Sequence, residues 1–301
     1  MFTLAHLSDL HIGPLPAASL AQLSSKRFLG WLSWKRRRQG IHRREVLDAL
    51  AQDLVAQAPD HVAVTGDLTN IALPAEFRQA AEWLATLGTA DWISVVPGNH
   101  DAYVGLPWED GLSLWSDYMA PDAAEASGAE VFPYLRRRGP LAVVGLSTAV
   151  PTLPGSAAGA LGPAQIERLA ELLKQLGQEG CFRCLLLHHP PLDEGFSPRK
   201  RLRDAAAFRE VLAGKGAELV LHGHDHRFND GRIAGPQGAI PVIGVPSASA
   251  LPDRHRPGAH YHLYRILRDA AGWRIELRVR GPAAGSTALS EAPARTLEVP
   301  A

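Results

Sequence analysis

Glu218-Leu219-Val220-Leu221 runs directly into His222-Gly223-His224-Asp225-His226. A short, mostly apolar run closed by a loop fits a buried strand. Two imidazoles two positions apart on the loop behind it rarely serve packing. The same arrangement recurs along the chain. Residues 2–7 end at Ser8-Asp9, with His11 two positions on. Residues 61–65 lead into Gly66-Asp67, and 92–96 into Pro97-Gly98-Asn99-His100-Asp101. Residues 141–146 form a further run, and 184–187 lead into His188-His189-Pro190-Pro191. Between these runs lie helical patterns. Residues 43–57 carry Val46, Leu47, Leu50, Leu54 and Val55 largely at i, i+3/i+4 spacing. Residues 74–87 and 163–176 each begin with Pro and are followed by Gly, and 203–213 is a fourth candidate. Strand and helix alternate, so the expected class is α/β. From residue 239 the pattern turns to strands alone, at 239–245, 259–267 and 273–280. Residues 1–281 read as a single domain, and 282–301, rich in Ala, Pro, Gly and Ser, as a loose tail.

The chain has 301 residues, 46% hydrophobic and 21% charged, an ordinary globular composition. Lys plus Arg and Asp plus Glu both number 31, so global charge gives no reason to expect a nucleic-acid partner. No apolar run approaches the roughly 18 residues of a membrane span. The start, Met1 to Asp9, lacks the basic region and cleavage site of a secretory signal, which makes a cytoplasmic location the expectation. Two cysteines exclude a disulfide scaffold. Cys181-Phe182-Arg183-Cys184 precedes a strand rather than a helix and has no second pair, so it reads as structural. Of 13 histidines, the seven at 11, 100, 188, 189, 222, 224 and 226 lie just after apolar runs. In open α/β sheets, that is where ligands bind. His6, His61, His255, His260 and His262 are not expected to be ligands.

The ordered set Asp-x-His, Gly-Asp, Gly-Asn-His-Asp, His and Gly-His-x-His, spanning residues 9 to 226, resembles the calcineurin-like metallophosphoesterases. The resemblance implies a four-layer α/β/β/α sandwich with two metal ions at one edge. It assigns Asp9, His11, Asp67 and His226 to one metal and Asp67, Asn99, His188 and His224 to the other. Two divalent cations roughly 3.5–4 Å apart repel each other, and a shared carboxylate offsets part of that repulsion. Asp67 is the candidate bridge. Mixed imidazole and carboxylate donors suit Mn, Fe, Co or Zn better than Ca. His189, His222 and Asp225 are candidates for orienting the ligands. A water or hydroxide bridging the metals would be the nucleophile, attacking phosphorus in line with the leaving group. In the family it resembles, the His corresponding to His100 stabilises the transition state or protonates the leaving oxygen. Asp101 is expected to orient His100 and favour its charged form. Asn70 stands where the purple acid phosphatases carry a tyrosine, and the segment after Asp101 lacks the arginine-rich signature of the serine/threonine phosphatases. Both departures favour the bacterial phosphodiesterase-like branch.

An insert follows the first motif. Residues 26–45 carry eight Lys or Arg and one Glu, interleaved with Phe28, Leu29, Trp31, Leu32 and Trp34. It reads as a helical lid, a clamp for a phosphate-rich substrate, an interfacial segment contacting anionic lipid, or a nucleotide or nucleic-acid contact. The substrate is thus expected to be a small-molecule or lipid phosphoester. A lipid-linked pyrophosphatase resembling the UDP-diacylglucosamine hydrolases is the rival enzyme reading. A non-catalytic scaffold is the rival from another class, weakened because every proposed ligand position is filled. Arg136-Arg137-Arg138 and Arg199-Lys200-Arg201-x-Arg203 are expected to be solvated basic faces.

Overall fold

The computed structural model describes residues 1–122, 131–192, 197–252, 257–270, 272–282 and 289–299. Its thirteen strands form two mixed sheets. The first contains β1 (Phe2–Leu7), β2 (His61–Val64) and β3 (Ile93–Val95), all parallel. The second is built on β4 (Tyr134–Arg138), β5 (Leu141–Gly145), β6 (Phe182–Leu186), β7 (Leu219–His222), β8 (Asn229–Ala234) and β9 (Ala239–Gly244), in the order β4-β5-β6-β7-β9-β8. Its central four strands are parallel, and β4 and β8 are antiparallel edges.

The strands after residue 239 divide between the two sheets. β9 pairs with β7. β10 (Tyr261–Asp269) and β11 (Gly272–Pro282) instead extend the first sheet through β1. A run of strands does not reveal its partners, because pairing is non-local. The tail also differs from expectation. β12 (Leu289–Glu291) and β13 (Arg295–Leu297) lie antiparallel to β11, and Leu297 is buried.

Period-2 alternation sorts the second sheet's side chains. Val143, Phe182, Cys184 and Leu186 join the cluster that holds Leu4, Val62 and Tyr264 of the first sheet. Ala142, Val144, Leu185 and Val220 turn the other way, into a cluster with Leu169, Leu173, Phe208 and Leu212. These last residues lie on helices, giving the sandwich its helix-sheet-sheet-helix layering.

The helices are, in chain order, α1 (Leu20–Leu23), α2 (Arg27–Ser33), a π-helical turn at Trp34–Arg38, α3 (Gln39–Ile41), α4 (Arg44–Ala56), α5 (Pro74–Leu87), α6 (Ser116–Met119), α7 (Pro163–Glu179) and α8 (Ala205–Lys215). α5 and α7 start on proline at N1, where a missing N–H costs nothing. α7 runs past Gly177 and ends at Gly180, whose φ of 67° only glycine adopts freely. Among the described residues, no helix is long and apolar enough to cross a membrane.

Arg136 is a correction. It is buried, and its guanidinium donates to the carbonyls of Ala90, Ile93, Asp117 and Ala120. Those four acceptors explain how a cation sits inside an edge strand. Of the CxxC pair, Cys184 is buried in β6, where burial pushes its thiol well up, while Cys181 is partly exposed. In the aromatic 103–119 stretch, Trp115 is core and donates to the Phe77 carbonyl.

The insert is fastened to the domain. Arg27 donates to the carbonyls of Ile71 and Ala72, and Lys26 to Thr152 and the Ser156 carbonyl. Gly30 lies so close to Ile71 and Tyr103 that a Cβ would overlap both. Buried Trp34 stacks on His42, with ring centroids 6.4 Å apart.

Candidate metal centre

The candidate residues occupy turns immediately beyond β1, β2, β6 and β7 and shortly beyond β3. Five of them hold left-handed backbone: Asp9 (φ 53°), His11 (40°), Asp67 (55°), His224 (73°) and His226 (55°). Such conformations cost about 1–3 kcal/mol each in non-glycine residues and cluster at functional sites. Here they turn the chain sharply enough at each strand end to aim successive side chains into one space. The loops interlock through the main chain: Asp9 N donates to Gly66 O, His11 N to Asp67 O and Gly223 N to His188 O. A Cβ on Gly223 would lie 1.9 Å from Ser8 Oγ and 2.5 Å from Asp9 Oδ2.

Donor atoms converge in two groups joined at Asp67. In the first, His226 Nε2 lies 3.1 Å from Asp9 Oδ1 and 3.3 Å from His11 Nε2, while His11 Nε2 is 3.8 Å from Asp67 Oδ2. In the second, His188 Nε2 lies 3.4 Å from Asp67 Oδ2, 3.2 Å from Asn99 Oδ1 and 3.2 Å from His224 Nδ1. His224 Nδ1 is 2.8 Å from Asn99 Oδ1. All seven candidate ligands are therefore brought together.

Three observations test whether these residues suit cations. Asp9 Oδ1 is buried without a hydrogen-bond partner among the described residues, the 3.1 Å His226 contact having poor geometry. Main-chain carbonyls fix two tautomers. His188 Nδ1 donates to Thr65 O (2.7 Å) and His11 Nδ1 to Thr69 O (3.2 Å), which leaves each Nε2 lone pair facing the cluster. The electrostatics agree. Burial alone would raise the Asp67 carboxyl, but His188 and His100 outweigh it and hold its pKa well below the usual range. Burial opposes the charge on His188, yet Asp67 and Asp9 raise it to about 9, so a cation bound there would take the place of the Nε2 proton. Two buried carboxylates thus draw positive charge to this point. The donor set fits divalent cations.

The remaining candidates take other places. His189 accepts from the Thr148 hydroxyl at Nδ1 and donates to Ala157 O from Nε2, so both nitrogens are engaged. Its ring packs 4.5 Å from that of His224. His222 is buried and donates to Gly223 O. Asp225 lies on the cavity wall, where Asn229 Nδ2 approaches it at 3.5 Å. Asp101 does not orient His100. Its carboxylate accepts from the main-chain N–H groups of Leu68, Thr69 and Gly98 and from the Thr69 hydroxyl. Burial, then the charge of Asp67, pushes its pKa up to about 7. The His100 ring is held instead by the Asn70 carbonyl, and its main-chain N–H donates to Asp67 Oδ1. Burial and then Arg38 lower His100 to about 4. His6 and His61 are buried strand residues bonded to Thr65 and Ser94. His255 lies outside the described residues.

Two residues of the site were not singled out from sequence, and both belong to the insert. His42 packs 4.4 Å from the His11 ring and 5.5 Å from that of His226, with Nδ1 2.9 Å from Ser249 Oγ. Arg38 places one guanidinium nitrogen 3.2 Å from both ring nitrogens of His100 and the other 2.9 and 3.0 Å from those of His11. Their only sequence signal is the insert's position shortly after Asp9-x-His11. Above the donors opens a cavity of about 370 Å³, lined by residues of the insert and by Asp67, Asn99, His100, Lys200, His224 and His226.

The sequence profile described as calcineurin-like phosphoesterase matches residues 2–228. The chain belongs to this family. A probable cyclic nucleotide phosphodiesterase of Synechococcus sp. is 25% identical over 234 residues, covering 76% of this chain and 80% of that protein. A cAMP/cGMP dual specificity phosphodiesterase of Mycobacterium tuberculosis is 31% identical over 206 residues, 66% of this chain and 56% of that protein. Among solved structures, a dimetal phosphatase from Danio rerio aligns with a TM-score of 0.62 at 14% identity, covering 98% of both chains. A purple acid phosphatase from yellow lupin seeds aligns at 0.56 and 11%, covering 98% of this chain and 53% of that one. At such identities the two structures establish the fold. This calcineurin-like phosphoesterase is a metal-dependent phosphoric ester hydrolase.

Proposed function

We propose that the protein hydrolyses phosphodiesters at the centre formed by Asp9, His11, Asp67, Asn99, His188, His224 and His226. The observation that carries this reading is the pair of donor groups sharing Asp67 at the base of the cavity, with His100 beside them. These seven residues would hold two divalent ions, Mn, Fe or Zn by donor type. When bound, such ions polarise phosphoryl oxygens and make water acidic enough to supply a nucleophile at neutral pH. The protein's own contribution is orientation and proton handling. Because Nδ1 of His100 donates to Asn70 O, Nε2 is the ring nitrogen left for a leaving oxygen. Burial and then Arg38 lower the ring's pKa to about 4; an anionic phosphate beside it would oppose that shift and favour a proton on Nε2, taken from water, for transfer to the leaving oxygen.

Two relatives are named for cyclic nucleotides, which makes these the first natural diesters to test. The experiment is hydrolysis of bis(p-nitrophenyl) phosphate by chelator-stripped protein with and without Mn²⁺. Metal-restored turnover is expected. Inertness of protein carrying two metals toward this and every other diester would remove the reading.

A second reading places a lipid phosphoester, including a lipid-linked pyrophosphate, at the same centre. The motive is the outer surface of the insert: Leu20, Phe28 and Leu29 are 89%, 49% and 53% exposed, and Lys35 and Arg36 are exposed on the π-helical turn. Phe28 stacks on Trp31. Peripheral contact with an anionic bilayer suits that composition. Sedimentation with phosphatidylglycerol vesicles tests it. Absence of binding, with activity unchanged in Phe28→Ser/Leu29→Ser protein, would discard it.

A further inference from the structure

The cavity above the donor cluster has a cationic wall. Arg37 and Arg38 come from the insert, Lys200 from the segment before α8 and Arg227 from the turn after β7. Three separate parts of the fold thus deliver four permanent cations to one space, in a chain whose acidic and basic residues balance at 31 each. Among the described residues, the lining contains two acids, Asp67 on the floor and Asp225 on the wall. Arg38 is committed to the rings of His11 and His100. Among the described residues, Arg37, Lys200 and Arg227 have no ion-pair partner; they share this with exposed arginines such as Arg78 and Arg274, and what sets them apart is that all three line one cavity. A phosphodiester carries a single negative charge, which two divalent ions would already overcompensate. Arg37, Lys200 and Arg227 are therefore in excess of what that group needs.

We propose that Arg37, Lys200 and Arg227 form a second anion subsite, and that the preferred substrate is a phosphodiester bearing an additional phosphate. This rests on the phosphodiesterase reading and narrows it. A simple 3′,5′-cyclic mononucleotide lacks the second group. The shared chemistry is a further phosphate, carried either on a soluble nucleotide or on a lipid headgroup. Arginine and lysine around an open cavity suit phosphate oxygens through charge-assisted hydrogen bonds. Arg37, Lys200 and Arg227 are exposed whereas Arg38 is half-buried, which leaves the reacting phosphate at the metal ligands and the second phosphate toward solvent.

The test compares two probes that differ by one phosphate, thymidine 5′-monophosphate and thymidine 3′,5′-bisphosphate, by calorimetric titration of the Mn²⁺-loaded protein. Wild type should bind the bisphosphate at least about tenfold more tightly, the effect of one added charge-assisted contact. In Arg227→Ala and Lys200→Ala, each at an exposed position, that ratio should fall. In the double variant it should approach one. Hydrolysis of thymidine 5′-(p-nitrophenyl phosphate) and its 3′-phosphorylated form should show the same preference in kcat/KM. Equal affinity for the two ligands in wild type, or an undiminished ratio in the double variant, overturns the subsite. A stronger preference when the same phosphate is displayed on vesicles, lost in the double variant, would leave the subsite standing and assign its phosphate to a lipid headgroup rather than a soluble nucleotide. Selective binding without hydrolysis of any diester would leave the subsite standing and remove the phosphodiesterase reading instead.

Discussion

Nδ1 of His100 lies 2.5 Å from the main-chain carbonyl oxygen of Asn70. That carbonyl is itself fixed. Asn70 N donates to Glu76 Oε1 (2.6 Å), Asn70 Nδ2 donates to Ile12 O (3.1 Å), and Glu76 Oε2 accepts from Ile71 N and Leu73 N. The imidazole is thus positioned through a buried loop and a helix-start glutamate, not by the aspartate next to it in sequence.

His100→Ala should keep its metals and lose rate. None of the contacts joining the seven donors passes through the His100 ring, so metal content measured by mass spectrometry should match wild type. Removing a proton donor should lower kcat by on the order of 10²–10⁴. Loss of metal in this variant would refute the assignment.

Glu76→Gln should separate positioning from folding. Glu76 is 2% exposed, and burial raises its pKa despite three main-chain donors. An amide can present only one acceptor oxygen to those N–H groups, at a cost of about 1–3 kcal/mol in urea unfolding. If Asn70 positions His100, kcat should fall while KM changes little. A purely structural Glu76 would lower stability and leave kcat alone.

Gly98→Ala should empty the centre. A Cβ at this position would lie 2.2 Å from Asp67 Oδ1 and 2.5 Å from Asp67 N. Both contacts are with the residue common to the two donor groups, and the main chain on that side cannot yield without moving β2. Metal content and turnover should fall together, as in Asp67→Ala. Full retention of both metals would show that Asp67 does not join the groups.

Much of this was readable from local pattern, and the exceptions have physical causes. The parallel strands are continuous apolar runs, and a proline marks the start of α5 and of α7. β4 escaped because Leu135-Arg136-Arg137-Arg138 looks solvated, whereas Arg136 is buried by four carbonyls that come from distant segments. β8, Asn229-Asp230-Gly231-Arg232, has the composition of a turn but is an edge strand. The seven donors announced themselves by following strands. His42 and Arg38 did not, because a uniformly basic and aromatic insert shows no face. Asp101 misled because neighbouring residues in a tight turn point to different partners.

Asp53→Asn should reveal an acid-sensitive tie between α4 and the end of the first sheet. The Asp53 carboxylate accepts from Arg280 Nε and its terminal nitrogen, each at 2.8 Å, and from Tyr261 OH at 2.6 Å. The Arg280 hydrogen bond leads in lowering its pKa, against a smaller opposing effect of burial. A carboxyl that is more acidic folded than unfolded adds stability above its unfolded value of about 3.9, and loses it as pH falls through the folded value. Wild type should therefore hold a constant Tm advantage over Asp53→Asn between about pH 5 and 7, shrinking below about pH 4. Because Arg280 also bonds Glu291 of β12, the acid-induced loss should be accompanied by release of that strand, visible as faster hydrogen exchange over 289–291. Parallel Tm curves for the two proteins across the whole range would show that the Asp53 charge contributes nothing to the tie.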